Sequence, residues 1–269
     1  KEYKAASIAT PFCMILEVLM EMVIPFLMAS IIDDGVEAGN LSHIYRVGII
    51  MIGAALTGLI AGLAGGKLGA HASAGVAKNL RNAMFHNIQS FSFSNIDKFS
   101  TAGLVTRLTT DVTNVQNAYQ MLLRMFTRAP ASLVCAMVMA FSINARLSTI
   151  YLIAVILLGT ALFFLMRHAT RYFQQAFPKY DDMNASVQEN VSAIRVVKAY
   201  VREKEETIRF RKTSQNIYKI FLKAECNLVY NAPLMQFTVY GCILLNSWLG
   251  ARMIVYDSLT TGELMSLLT

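Results

Sequence analysis

Charge is scarce in this chain: Asp, Glu, Lys and Arg make up 15% of its 269 residues, while 55% are hydrophobic. That balance excludes an ordinary soluble domain and fits a membrane protein. Cysteine supplies no framework. Cys13, Cys135, Cys226 and Cys242 are scattered, mostly in apolar runs, and read as small packing residues rather than disulfide partners or metal ligands. The four histidines show no ligand spacing, so no metal site is expected. Nothing resembles a cleavable signal peptide, and Lys1 in place of Met points to a start that is not the natural one. A phosphate-binding loop is also missing. Gly66-Lys67 is suggestive, but the motif needs glycine where Ala61 stands and Ser or Thr where Leu68 stands. No catalytic residue is assigned.

What the chain does have is long runs without charge. Membrane spans are expected over about 6–32, 44–68, 129–145, 147–166 and 226–251, with a sixth starting near 263 and unfinished at Thr269. Each is near the ~20 residues that cross a ~30 Å hydrocarbon core. The expected fold is an all-α polytopic membrane protein. The bases concentrate elsewhere: the stretches 67–128 and 167–223 hold 19 of the 24 Lys and Arg. By the positive-inside rule these two long loops, and the N-terminus with them, are cytoplasmic. The net charge of +7 is then a topology signal that requires no nucleic-acid partner.

Within the spans, a few polar residues stand out. Glu17 and Glu21, four apart, share one helix face at a depth where carboxylates are costly. They read either as a pair attracting a cationic substrate or as groups bonded to each other or to a neighbouring helix. Pro25 should kink the helix above them. Asn227, Asn231, Gln236 and Asn246 interrupt the fifth span around Pro233. Asn231 and Gln236 are the candidates for a water-filled path. Gly58, Gly62 and Gly66 repeat every four residues, as do Gly65 and Gly69, a pattern that lets helices approach closely. The segment IIDDGVEAGN reads as an outer loop.

The polar stretch from Asp181 to Glu206 carries Val187, Val191, Ile194, Val197 and Val201 on one helical face and Arg195, Lys198 and Arg202 on another. If helical from Arg167 to Lys198, with a bend at Pro178, this stalk would reach about 45 Å beyond the membrane. It is either a solvated helix packed on its neighbours or a lever carrying force from a soluble partner.

Here a family resemblance enters. ENVSAIRVVKAYVREKEE is similar to the second intracellular loop of ATP-binding-cassette (ABC) exporters, in which E-N is followed by G-I-R-V-V-K-A-F and an acidic residue. Glu189, Ile194 to Ala199, Arg202 and Glu203 match; Ala193 stands for the usual glycine and Tyr200 for the common phenylalanine. Upstream, FSFSNIDKFSTAGLVTRLTTDV resembles the first intracellular loop, keeping the phenylalanine, the aspartate, the small-residue turn and T-R-L-x-x-D-V. The resemblance implies a six-helix exporter membrane domain of the bacterial multidrug or lipid half-transporter type. It implies two coupling helices, at Asn95, Ile96, Asp97, Lys98 and Phe99 and at Ala199, Tyr200, Val201 and Arg202, with Tyr200 inserting into a partner groove. It also implies nucleotide-binding domains, absent from this chain, that hold ATP and Mg and do the hydrolysis. A second exporter subunit, identical or not, membrane lipid, and a small amphipathic or cationic substrate complete the implied partners. An ion-coupled carrier or channel using Glu17 and Glu21 is the alternative, and an assembly scaffold the third reading.

Overall fold

Every element of the computed structural model is helical; it describes residues 2–92, 100–256 and 258–269. In chain order these are α1 (Lys4–Ser30), which widens into a π-helical turn at Ile31–Glu37, α2 (Leu41–Gln89), and α3 (Thr101–Thr106). A second π-helical turn, Arg107–Asp111, leads into α4 (Val112–Ile143). Then come α5 (Ala145–Ser192), α6 (Ile194–Ala199), α7 (Glu203–Val229), α8 (Asn231–Val255) and α9 (Thr261–Leu268). Among the described residues, five helical stretches are long and apolar enough to cross a membrane: Lys4–Glu37, Leu41–Gln89, Thr101–Ile143, Ala145–Ser192 and Glu203–Val255. Phe12, Ile49, Phe126, Phe163 and Phe164 are among many large apolar side chains left exposed on them, an outer surface suited to lipid or to another membrane subunit. With 49 and 48 residues, α2 and α5 reach roughly 70 Å at ~1.5 Å per residue, more than twice the ~30 Å core.

Local chemistry sets the helix boundaries. Gly39 takes the left-handed conformation (φ +65°) and Asn40 then caps α2 by accepting from the His43 N–H at 3.1 Å. Between α4 and α5 a single extended residue, Asn144, turns the chain, and its Oδ1 accepts from the N–H groups of Arg146 and Leu147. A reciprocal capping box of Thr260 and Glu263 starts α9. The expected outer loop over IIDDGVEAGN is mostly helical: α1 runs on through Glu37 as a wide turn, and the turn proper is confined to the residues around Gly39. Pro233, expected in mid-span, sits in the first turn of α8, because the helix breaks at Tyr230. In a first turn the N–H that proline lacks has no intrahelical partner to lose.

The chain forms two compact units, residues 1–148 with 247–269, and residues 149–246. In the first, α1 packs along α2 and α4, and α9 packs on α1. Contact between α1 and α2 runs over Gly58, Gly62, Gly65 and Gly69. A Cβ at these positions would lie within 2.5 to 3.3 Å of Met20, Glu17, Met14 and Thr10 respectively, whereas Gly66 has open space. The working stripe is therefore spaced 4, 3, 4 and not every four. Met14, Val18 and Thr10 are fully buried beneath it. Tyr119 on α4 donates to Ser7 at 2.9 Å, and Arg81 on α2 donates to the Leu108 carbonyl in the second π turn and to the Thr113 hydroxyl at the start of α4. Asp33 links the first and last described helices: it accepts from the Thr260 hydroxyl at 2.6 Å and from the Gly262 N–H at 2.8 Å.

In the second unit α5 and α7 run as a hairpin. Phe221 is its node, edge-on to Phe173 at 5.9 Å and to Tyr180 at 5.2 Å. Near the tip, Asn190 donates to Glu206 at 2.8 Å.

Candidate functional site

At the intramembrane carboxylates, Glu17 and Glu21 lie one turn apart on α1 and both meet Arg128 on α4. One guanidinium nitrogen donates to Glu17 at 3.2 Å and the other to Glu21 at 3.0 Å. Glycine at position 62 makes room for this arrangement: its Cβ would stand 3.0 Å from the Glu17 carboxyl carbon. A planar guanidinium donates along two directions at once, which suits it to bridging two carboxylates. With both carboxylates ionised the cluster carries one net negative charge instead of two. Sequence reasoning found the pair but counted Arg128 among the loop bases. The missed signal was its place as the last base before the charge-free run starting at Ala129.

Next to the cluster, α1 and α4 border a cavity of about 600 Å³. Met14, Met121 and Met125 supply its apolar lining, and Arg124, Arg128 and Asn117 supply polar groups.

At the hairpin tip, Val187, Val191, Ile194 and Val197 line a cleft of about 300 Å³ together with Thr207 and Phe210 of α7. The apolar stripe of the stalk thus faces the chain's own returning helix. Continuous helix to Lys198 is not what forms: α5 stops at Ser192, Ala193 turns, and α6 adds six residues. The tip then closes as a Schellman motif. The Val201 N–H donates to the Lys198 carbonyl at 3.2 Å and the Arg202 N–H to the Val197 carbonyl at 3.0 Å. The left-handed position of such a motif belongs to glycine, yet here it holds a β-branched residue, Val201, at φ +53°. Tyr200 and Val201 are 74% and 80% exposed, which leaves an uncovered apolar apex. Among the described residues, Arg202 and Lys198 make long, exposed ion pairs with Glu205 and Glu203 respectively. Asn95 to Phe99, the other expected coupling segment, lies outside the described residues.

Of the expected pathway amides, Asn231 begins α8 with its Oδ1 buried and unpartnered among the described residues. Gln236 is exposed and donates to Tyr240 at 3.4 Å. Among the described residues no cluster of His, Cys, Asp and Glu is arranged to hold a metal ion.

Comparison with known proteins adds the family. Residues 7–269 match the ABC transporter transmembrane region. The uncharacterised ABC transporter ATP-binding protein YfiB of Bacillus subtilis is 32% identical over 95% of this chain and 44% of its own length. An uncharacterised ABC transporter ATP-binding protein of Mycobacterium tuberculosis, Rv1273c, is 28% identical over 93% of this chain and 43% of its own. The ABC-type oligopeptide transporter ABCB9 of mouse is 23% identical over 96% of this chain and 34% of its own. The chain spans less than half the length of these curated relatives.

Proposed function

The chain belongs to the ABC transporter transmembrane family, a multi-pass membrane protein family, and on that premise we propose that it is the substrate-translocating part of an ATP-driven exporter. The observation that carries this reading is the apex at Tyr200 and Val201: two large exposed apolar side chains at the tip of a hairpin whose first helix, α5, is far longer than a bilayer is thick. Such an apex is a docking knob. Its partner is an ATPase domain that binds ATP and Mg, and the first docking segment is Asn95–Phe99. The surplus of Lys and Arg in the two stalks supports a cytoplasmic position for them and for the N-terminus.

In this mechanism the ATPase domains close on ATP and push on the stalk tips. The spans of two membrane subunits, identical or different, then rock between inward-open and outward-open packings, with nucleotide biasing the equilibrium. Glu17 and Glu21, bridged by Arg128, border the pathway in one unit. Asn231 and Gln236 are the pathway candidates in the other. Their cargo is a small amphipathic compound. This chain contributes no hydrolytic group, and by itself it is expected to turn over no ATP.

Tyr200→Ala tests the reading. In the assembled protein, substrate-stimulated ATP turnover should fall severalfold while membrane insertion and thermal stability persist. Unchanged turnover overturns the docking role. Transport driven by an ion gradient without ATP would instead support a carrier that uses Glu17 and Glu21 as a relay.

A further inference from the structure

Between α3 and α4 the helix carries one residue more than α-helical winding accommodates. Over Arg107–Asp111 the turn is π-helical. The Val112 N–H, which in an α-helix would donate to the Leu108 carbonyl, donates instead to the carbonyls of Arg107 and Thr109. The Leu108 carbonyl thus loses its α-helical donor, and it is met from another helix: the Arg81 Nε–H of α2 donates to it at 3.2 Å. A terminal nitrogen of the same guanidinium donates to the Thr113 hydroxyl at 3.0 Å, and that hydroxyl donates onward to the Thr109 carbonyl at 2.8 Å. One half-buried cation therefore engages a carbonyl inside the widened turn and a hydroxyl just past it, both by charge-assisted bonds.

The extra residue sets a rotational phase. An α-helix advances about 100° per residue, so closing the turn to regular α-helix would rotate the segment on one side of it by about that angle. α4 is not free to rotate: Tyr119 bonds to Ser7 of α1, and Arg128 bonds to Glu17 and Glu21. The rotation would fall on α3, which begins at Thr101, just after the docking segment Asn95–Phe99. We propose that Arg81 is a positioning residue for coupling: by holding the π turn open, it fixes the angle at which α3 presents the first docking segment to the ATPase domain. The coupling half of this inference rests on the exporter reading, whereas the hold of Arg81 on the turn stands on geometry alone.

A deletion makes the test specific. Removing Thr110, an exposed residue of the turn, takes out the extra residue and lets a regular α-helix form with α3 and α4 in their present phases. In the assembled protein, Arg81→Met should lower kcat for ATP about tenfold with KM for ATP unchanged, the scale of one charge-assisted bond. Hydrogen exchange at the Val112 amide should speed up by about the same factor. With Thr110 deleted, the same substitution should change neither quantity, and the doubly altered protein should turn over ATP faster than Arg81→Met alone. A general loss of stability would give no such rescue. If Arg81→Met does not fold, Thr113→Val, which removes the outer acceptor only, should show the same pattern severalfold weaker. Equal losses with and without Thr110, or an unaltered kcat, would overturn the positioning role, and unaltered exchange would overturn the hold on the turn. Failure of the exporter reading looks different: the unsubstituted assembly would itself turn over no ATP. That result removes the coupling half, while exchange at Val112 still decides whether Arg81 holds the turn.

Discussion

The helices of the first unit approach closely because side chains of α1 seat directly on the backbone of α2 at Gly58, Gly62, Gly65 and Gly69. Those of the stalk hairpin meet at arm's length, through Phe221 on Phe173 and Tyr180 and through one amide–carboxylate bond near the tip. Close approach leaves few alternative packings, because a Cβ added at most glycines of the first unit collides with something. Contact through long side chains leaves many, since rings and amides can re-seat. One unit is built as a clamp and the other as a lever. The residues that hold a clamp should be more sensitive than those that hold a lever.

Substitution can break this comparison, beginning with the largest expected effect. Gly262→Ala puts a Cβ against the Ala29 carbonyl oxygen and 2.7 Å from the Asp33 carboxylate, and a backbone atom cannot step aside. A loss of about 3 kcal/mol is expected, read by thermal unfolding in detergent. Phe221→Ala should cost about 2 kcal/mol, less than a fully buried phenylalanine because the ring is half-exposed. If Phe221→Ala proves the costlier of the two, the distinction between clamp and lever fails. Arg128→Met should cost about 1 kcal/mol, since the side chain is 46% exposed and its pairs are not buried. Glu17→Gln in the same chain should recover part of that loss in a double-mutant cycle. Val201→Gly should shift stability by under about 1 kcal/mol, because relief of the left-handed backbone is offset by a floppier unfolded chain. Hydrogen exchange at the Val201 and Arg202 amides is its sensitive readout.

How much of this could be read from the sequence depended on distance along the chain. Charge-free runs pointed to apolar helices, and five stretches among the described residues are long and apolar enough to cross a membrane, because hydropathy is a local signal. Glu17 and Glu21 were visible as a pair for the same reason. Arg128 was not, because it reaches Glu17 across 111 positions and stands at the end of a base-rich stretch that sequence reasoning took as a loop. The glycine stripe was legible as a theme but not in register. A spacing of exact fours drifts around a helix, while alternating fours and threes stays on the seam between two helices, so Gly65 replaces Gly66. The left-handed Val201 had no signal at all, since nothing about valine announces a positive φ.

The bond from the Gly262 N–H to Asp33 joins positions 229 apart in the chain. A ribosome adding roughly 5–20 residues per second takes some ten to fifty seconds to cover that distance. Throughout that interval the end of α1 has its aspartate without either of these partners. Its final seat is therefore a late event of biogenesis, and a nascent chain halted before Thr260 should leave that end open to water-borne reagents.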